Sequence, residues 1–244
     1  MTPDVRNLLR HLRVPGLAYR DFGAAVATAV RRSERRQGLM TVALVSLVPS
    51  VGRTALCANL VRAFERSGAR AGVVDVDPNG VLSASFGAEG SDPSECIERL
   101  AAERDLLLVD TGTPPPPDVL SEADELLVVA RADAASVAAV GPMEALLVRT
   151  RMRSWRKPRA RWLVNGFDGR RGADRDALRA LRRALGARVL PTVVQEDRAL
   201  RDAFAAGRFV QDVAPGSQVA ADLEALAREL RSPGRAVDRH AFVD

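Results

Sequence analysis

Residues 40–68 read MTVALVSLVPSVGRTALCANLVRAFERSG, and this stretch decides the fold. Met40–Val48 is an apolar run rich in β-forming residues, and Pro49–Gly52 have the composition of a turn. Thr54–Ser67 then places apolar residues at helical spacing, and Gly68 supplies a stop. The stretch therefore predicts a buried strand, a short loop and an amphipathic helix in immediate succession.

Similar alternation of apolar runs and helical patterns continues to residue 230. The further expected strands are Ala71–Val76, Asp105–Val109, Glu125–Ala130, Arg161–Val164 and Ala187–Leu190. The further expected helices are Ala134–Arg149, Ala173–Leu185, Asp197–Ala206 and Ser217–Leu230. Strands that are apolar without alternation are buried on both faces, as in parallel sheets covered by helices. The sequence therefore predicts an α/β fold with a doubly wound, mostly parallel sheet flanked by helices.

Composition divides the 244 residues into three parts. Residues 1–38 are rich in arginine with short apolar steps, which predicts a helical appendage and a linker. Residues 39–230 form the α/β domain, and residues 231–244 are expected to be a flexible tail. The longest apolar run is about ten residues, too short to cross a bilayer. With two cysteines and no signal-peptide pattern, the expected location is cytoplasmic, with peripheral association at the inner membrane or cell pole as a further expectation.

Basic residues outnumber acidic ones by 36 to 31, and only one of them, Lys157, is a lysine. The resulting net charge of +5 permits an anionic partner without demanding one. Seven basic residues and Trp155 fall within Arg149–Arg161. Such a stretch is typical of contact with DNA or anionic lipid. A solvated loop between elements is the favoured interpretation.

Three polar clusters follow the first three expected strands. They are Val48–Ala55, Asp75–Pro78 and Asp110–Pro114. Ligands of open parallel sheets bind at the carboxyl ends of the strands. A loop that runs into a helix N-terminus holds phosphate, and Thr54 with strand-end carboxylates suits Mg²⁺ and its water shell. Polar caps without a ligand are the alternative, but three clusters in this order favour a nucleotide site.

These motifs resemble those of the ParA/MinD family. Val48–Ala55 lies where that family has its K-G-G-V-G-K-T-T loop, Val73–Pro78 resembles its second motif, and Leu108–Asp110 resembles its Walker B strand. Within the family, Leu163–Asp168 and Leu190–Val194 are similar to the BcsQ (YhjQ) proteins of bacterial cellulose synthesis. Ala214–Gln218 adds to that likeness, and residues 1–23 resemble the small BcsR/BcsP-type companions.

The resemblance implies a site for ATP or ADP with Mg²⁺. The nucleotide-binding residues that it implies are Ser50, Val51, Gly52, Arg53, Thr54, Ala55 and, for the base, Asn165. A loop-capping role for Asn165 is an equal alternative. The implied metal ligands are Thr54, Asp75 and Asp110, and Asp77 would orient the attacking water.

The loop also departs from the family pattern. Val48 stands in place of the first lysine, Pro49 and Ser50 in place of two glycines, Arg53 in place of the loop lysine and Ala55 in place of the second threonine. Pro49 provides no N–H, and a guanidinium replaces a compact ammonium poorly. We therefore expect weak nucleotide binding and little or no hydrolysis, as in a pseudo-ATPase.

The resemblance predicts an accessory protein of cellulose biosynthesis and secretion. It would dock to the cytoplasmic side of the inner-membrane synthase, as a homodimer or with a small companion subunit. The alternative is a positioning ATPase that cycles on nucleoid DNA or membrane in partition or division. A dinucleotide oxidoreductase is excluded because no G-x-G-x-x-G follows the first strand.

Overall fold

In the computed structural model, residues 39–86, 100, 103–154 and 158–231 are described, Arg153 by its backbone only. The predicted appendage (1–38) and nearly all of the predicted tail (231–244) lie outside these residues, as do Cys96 and Trp155–Lys157. Within them, no helix is both long and apolar enough to cross a membrane.

Six parallel strands form one sheet, which confirms the predicted fold class. The strands are β1 (Met40–Val45), β2 (Ala71–Asp75), β3 (Leu106–Asp110), β4 (Glu125–Arg131), β5 (Arg159–Phe167) and β6 (Val194–Gln195). Their order in the sheet is β2-β3-β1-β4-β5-β6. The two strands that follow β1 in sequence lie on one side of it, and the last three lie on the other side. The carboxyl end of β1 is therefore at the switch point of the strand order, where open sheets bind ligands.

Helices cover both faces of this sheet. They are α1 (Arg53–Arg66), α2 (Val81–Phe86), α3 (Pro117–Glu122), α4 (Ala134–Ala138), α5 (Val140–Arg153), α6 (Gly172–Leu185), α7 (Arg198–Ala205), α8 (Val210–Val213) and α9 (Gln218–Arg231), with a 3₁₀ turn at Gly186–Arg188. The helix predicted over Ala134–Arg149 is two helices. Pro142 has no N–H to donate to the carbonyl of Ala138, and its ring crowds that carbonyl, so the helical ladder is interrupted near Ala139.

The sixth strand differs from the prediction. Ala187–Leu190 contains the end of the 3₁₀ turn, and Val189 makes only an isolated bridge to Trp162. Pro191 follows directly and cannot donate to a sheet ladder, so the chain leaves the edge of β5 there. It returns as β6 at Val194, opposite Asn165, with a register shift before Phe167.

The core has two apolar layers, one on each face of the sheet. Val42 and Leu44 of β1 face the layer that contains α1 and α9, whereas Ala43 and Val45 face the layer that contains α5 and α6. All four side chains are fully buried. This double burial explains why the strand is continuously apolar, as the sequence indicates.

Candidate functional site

The loop between β1 and α1 folds into a tight turn at the carboxyl end of the sheet. The Ser46 hydroxyl accepts the Val48 N–H at 3.0 Å and fixes the start of the loop. Ser50 and Gly52 both adopt left-handed backbone conformations, with φ of 58° and 87°. That conformation is unfavourable for a residue with a Cβ, by about 1–2 kcal/mol. Strain of this kind at Ser50 is typical of functional loops, and it leads directly into the N-terminus of α1.

Asn165 of β5 binds the loop through a side-chain hydrogen bond. Its side-chain Nδ2 donates to the Val51 carbonyl at 2.7 Å, and the residue is buried at the end of β5. A Cβ on Gly52 would lie only 2.5 Å from this Nδ2. The amide donor of Asn165 is therefore committed to shaping the loop in this structure. This is the loop-capping alternative, and the predicted contact with a base stays a prediction.

Replacement of Gly52 by alanine is expected to destabilise the protein more than the same change at Gly68. Gly68 has a similar φ of 82°, but no atom lies within 4 Å of its added Cβ, so Gly68→Ala should cost only the backbone strain of about 1–2 kcal/mol. Gly52→Ala should cost at least about 1 kcal/mol more, because Asn165 must move and lose its hydrogen bond. Urea unfolding of both variants measures the difference. Equal losses would show that the Asn165 contact is unimportant.

Arg53, the first residue of α1, turns inward. Its Nη1 donates to the Gly112 carbonyl at 2.7 Å, and its Nη2 lies 4.0 Å from an oxygen of Asp77. The side chain is only 9% exposed. Burial lowers the pKa of this guanidinium, while Asp110 and Asp77 oppose that shift. The positive charge is thus placed between the ends of β2 and β3.

Asp75 ends β2 and Asp77 follows it, and both carboxylates accept hydrogen bonds from residues that come after them in the chain. The Asp75 carboxylate accepts the N–H of Asp77 at 3.0 Å and that of Ser83 at 3.1 Å. Burial raises the pKa of Asp75, and these backbone hydrogen bonds oppose the increase. One oxygen of Asp77 accepts both the backbone N–H and the side-chain amide of Asn79. The predicted water-orienting role of Asp77 stays a prediction.

Asp110, the last residue of β3, is a buried carboxylate without a hydrogen-bond partner. It is 0% exposed, and neither oxygen has a partner of normal geometry. Burial raises its pKa to about 7, and the charges of Asp75 and Asp77 act in the same direction. The Thr54 hydroxyl and the Arg53 charge oppose the increase. Thr54 is close enough to affect the pKa but does not reach normal hydrogen-bond geometry. A buried acid whose oxygens have no hydrogen-bond donor needs a positive charge nearby.

Thr54 and Asp110 carry oxygen atoms of the kind that Mg²⁺ prefers, but the Arg53 guanidinium already lies beside these groups. Asp75 fits less well because backbone N–H groups already occupy both of its oxygens. In the part of the chain that is described, no group of three or more His, Cys, Asp or Glu side chains is arranged to hold a metal. The predicted metal set of Thr54, Asp75 and Asp110 stays a prediction.

The structure brings the predicted loop residues together but gives them different environments. Ser50 is exposed, Val51 is fully buried in the core, and Ala55 is half-buried in the first turn of α1. Val48 packs against the layer of α1 and α9. The structure therefore places these residues in one loop and the first turn of α1, and their predicted contacts with a nucleotide stay a prediction.

Two contacts at this end of the sheet were not predicted. The Gly112 carbonyl anchors Arg53, and Arg131 at the end of β4 places its Nη2 3.5 Å from the Gly166 carbonyl and 4.0 Å from Glu196. Gly166 has a φ of 66°, and a Cβ there would overlap the Arg131 guanidinium. The sequence did contain one signal for the second contact, since Gly166 directly follows Asn165 near the end of β5.

The basic stretch Arg149–Arg161 is not the single solvated loop that the sequence favoured, because its first residues end α5 and Arg159–Arg161 begin β5. Arg161 is buried on β5, where its guanidinium forms two hydrogen bonds to the carboxylate of Glu125. It is therefore unavailable to DNA or lipid. Arg149 and Arg159 are exposed, and the middle of the stretch lies outside the described residues.

A parallel sheet with this loop, helix N-terminus and buried strand-end carboxylate defines an α/β protein of the P-loop nucleotide-binding class. The chain belongs to the CobQ/CobB/MinD/ParA nucleotide binding domain family, which its sequence matches over residues 42–210.

Solved structures with a similar fold include the following three proteins. The MinD cell division protein of Aquifex aeolicus is 18% identical, with a TM-score of 0.65 over 79% of this chain and 97% of that one. A variant of Cyanothece McdA in complex with ATP is 14% identical, with a TM-score of 0.68 over 80% and 97%. Mycobacterium smegmatis cobyrinic acid a,c-diamide synthase with ADP and magnesium is 16% identical, with a TM-score of 0.62 over 79% and 94%. At these identities the likeness concerns the fold. The comparison with curated proteins found no match.

Proposed function

We propose that the chain is a nucleotide-binding regulatory protein that hydrolyses ATP slowly or not at all. The observation that carries this proposal is the loop from Ser46 to Arg53. Two of its residues, Ser50 and Gly52, adopt the left-handed backbone conformation just before the N-terminus of α1. That conformation is unfavourable for a serine, which has a Cβ. A backbone so strained is retained where its N–H groups have a ligand to bind, and successive N–H groups before a helix bind phosphate.

The proposed ligand is ATP or ADP, as in the Cyanothece and Mycobacterium structures, whose descriptions name ATP and ADP. Its phosphates would contact the N–H groups of residues 51–55. Pro49 provides no N–H, and one lost charge-assisted bond is worth about 1.5–3 kcal/mol. We therefore propose a dissociation constant about tenfold to a hundredfold weaker than that of an intact loop. Such a degenerate site suits a slow switch or a scaffold.

The proposed role is accessory to bacterial cellulose biosynthesis and secretion, through docking on the cytoplasmic side of the inner-membrane synthase. Its support is the similarity of Leu163–Asp168, Leu190–Val194 and Ala214–Gln218 to BcsQ proteins. A homodimer or a complex with a small companion is part of the proposal. The Aquifex MinC:MinD complex is a case in which a protein of this fold binds a partner.

A positioning ATPase that cycles on nucleoid DNA or membrane is the second candidate. The fold shared with the MinD cell division protein of Aquifex aeolicus favours it. It needs repeated hydrolysis, and the residues at Val48 and Arg53 argue against rapid turnover. Burial of Arg161 also removes one charge from the stretch that would contact DNA or lipid.

Titration calorimetry with ATP and ADP tests nucleotide binding. We expect wild-type protein to bind with a dissociation constant between about 10 μM and 1 mM, and Gly52→Ala to lose that binding because the loop changes shape. Gly68→Ala, which lies at the far end of α1, is the matched control and should bind normally. Absence of wild-type binding at millimolar nucleotide would contradict the proposal.

Binding experiments with the full chain distinguish the accessory role in cellulose synthesis from the positioning ATPase. Capture on membranes that contain a cellulose synthase, but not on membranes that lack it, would support the accessory role. Binding to synthase-free anionic vesicles or to DNA only in the presence of ATP would favour the positioning ATPase instead.

A further inference from the structure

The Arg53 guanidinium lies between the segments that follow β2 and β3, and the carboxylate within ion-pair distance of it is that of Asp77. It donates to the Gly112 carbonyl, lies 4.0 Å from Asp77, and its charge acts on Asp110. Gly112 comes two residues after Asp110, so the same guanidinium connects α1 to the segments after β2 and β3. The side chain is almost fully buried, so the surrounding protein atoms hold the guanidinium in place.

Asp110 explains why a cation is needed there. Its carboxylate is inaccessible to solvent, and neither oxygen has a hydrogen-bond donor at normal geometry. Asp75 satisfies its oxygens with backbone N–H groups and Asp77 uses one oxygen for Asn79, but Asp110 has no such partner. A buried carboxylate in this state requires a nearby positive charge or a proton.

We propose that Arg53 is the permanent counter-ion of Asp77 and Asp110, and that it takes the place of a divalent cation among these carboxylates. A guanidinium is charged at every physiological pH, is weakly hydrated and presents several donors at once, so it tolerates burial better than an ammonium does. It is also attached to the chain and so is always present. A divalent ion that entered the cluster would be repelled by it.

This inference concerns the protein without nucleotide and does not rest on the proposed function. It makes the opposite prediction to the metal set of Thr54, Asp75 and Asp110. With Arg53 in place, Mg²⁺ should have no effect on the stability of the protein. Without it, the same carboxylates should become a Mg²⁺ site.

Arg131 offers a closely matched control. Its guanidinium also contacts a glycine carbonyl, that of Gly166, and also lies 4.0 Å from a carboxylate, that of Glu196. Glu196, however, has a second partner in Arg171 at 2.6 Å. Loss of Arg131 should therefore leave no uncompensated acid for a metal to neutralise.

The test is thermal unfolding of wild type, Arg53→Ala and Arg131→Ala in EDTA, in about 10 mM MgCl₂ and in NaCl of equal ionic strength. We expect Mg²⁺ to change the wild-type Tm by less than about 1 °C, and Arg53→Ala to unfold about 5 °C or more lower in EDTA. Mg²⁺, but not NaCl, should restore at least half of that loss. The Arg131→Ala Tm should be the same in all three solutions.

Two results would overturn the proposal. One is a Mg²⁺-dependent increase in the wild-type Tm as large as that of Arg53→Ala, which would mean that metal binds with Arg53 present. The other is an Arg53→Ala protein that Mg²⁺ does not restore. If Arg53→Ala does not fold, titration of wild type with Mn²⁺ followed by electron paramagnetic resonance decides. Bound Mn²⁺ that is lost in Asp110→Asn would show the proposal to be wrong, and absence of bound Mn²⁺ would support it.

Discussion

Wild-type protein is expected to release phosphate from ATP at least about 1000-fold more slowly than a ParA-type enzyme with an intact loop. The resemblance implies that such enzymes place a lysine at the position of Val48 and use it to stabilise transition-state charge on the partner's nucleotide. Charges supplied in this way by arginine fingers are worth about 10³–10⁵ in rate. Their loss alone accounts for the expected deficit.

The structure adds physical reasons why the loop does not compensate. Val48 packs its side chain against the core and carries no charge toward a partner. Arg53 is held on the Gly112 carbonyl at 2.7 Å, so phosphate must compete with that carbonyl and with Asp77 for the guanidinium. The absence of a charge at Val48 slows the chemical step, whereas the competition for Arg53 also weakens the binding of phosphate.

Phosphate release by wild type, Arg53→Lys, Val48→Lys and the double variant tests this explanation. Neither single change is expected to restore turnover, because each leaves one of the two positive charges missing or misplaced. The double variant should be the fastest of the four. Asp110→Asn serves as the background control, since any rate that it retains belongs to a contaminant. Wild-type turnover close to that of an intact enzyme would contradict the explanation.

Much of the fold was predictable because burial on both faces leaves a direct sequence signal. Val42–Val45 of β1 and Leu126–Ala130 of β4 are continuously apolar because alternate side chains enter the two core layers. The position of the site followed from the same signal, since polar residues that end parallel strands meet at one edge. The loop at Ser50 and Gly52 lies at that edge, as predicted.

The directions of individual side chains were not predictable from spacing. Arg53 turns toward Gly112, and Asn165 toward Val51, because of neighbours that are 59 and 114 residues away in sequence. Arg161 was grouped with exposed basic residues because charge was counted without regard to strand face. In β5 it lies two residues before Leu163, so both point toward the layer that contains α9. The environment of Arg161 is set by the face of the sheet on which it lies, and its charge is no guide to its exposure.

Arg161 and Glu125 form a buried ion pair whose disruption should have the largest effect on stability. Arg161 is 5% exposed and Glu125 is 3% exposed, and Nη2 donates to the second carboxylate oxygen at 2.7 Å. The guanidinium also reaches the carbonyls of Glu229 and Leu230 at 3.3 and 3.5 Å, at the C-terminal end of α9. Those carbonyls have no partner within the helix, and a cation at a helix C-terminus is favourable.

Arg161→Met is expected to lower the free energy of unfolding by about 3–5 kcal/mol, because it leaves the Glu125 carboxylate buried without a partner and releases the end of α9. Glu125→Leu should have a similar effect by leaving the guanidinium unpaired. The double variant should lose clearly less than the sum of the two, since apolar side chains of similar volume replace buried ion pairs at little cost.

Urea unfolding of the four proteins forms a double-mutant cycle, with Arg159→Met on the same strand as the control. Arg159 is exposed, so its replacement should change stability by less than about 0.5 kcal/mol. If Arg161→Met matched this control, the guanidinium would be solvated rather than buried. Arg161 would then belong again to the basic surface from which the structure removes it, and the case for DNA or lipid contact at Arg149–Arg161 would strengthen accordingly.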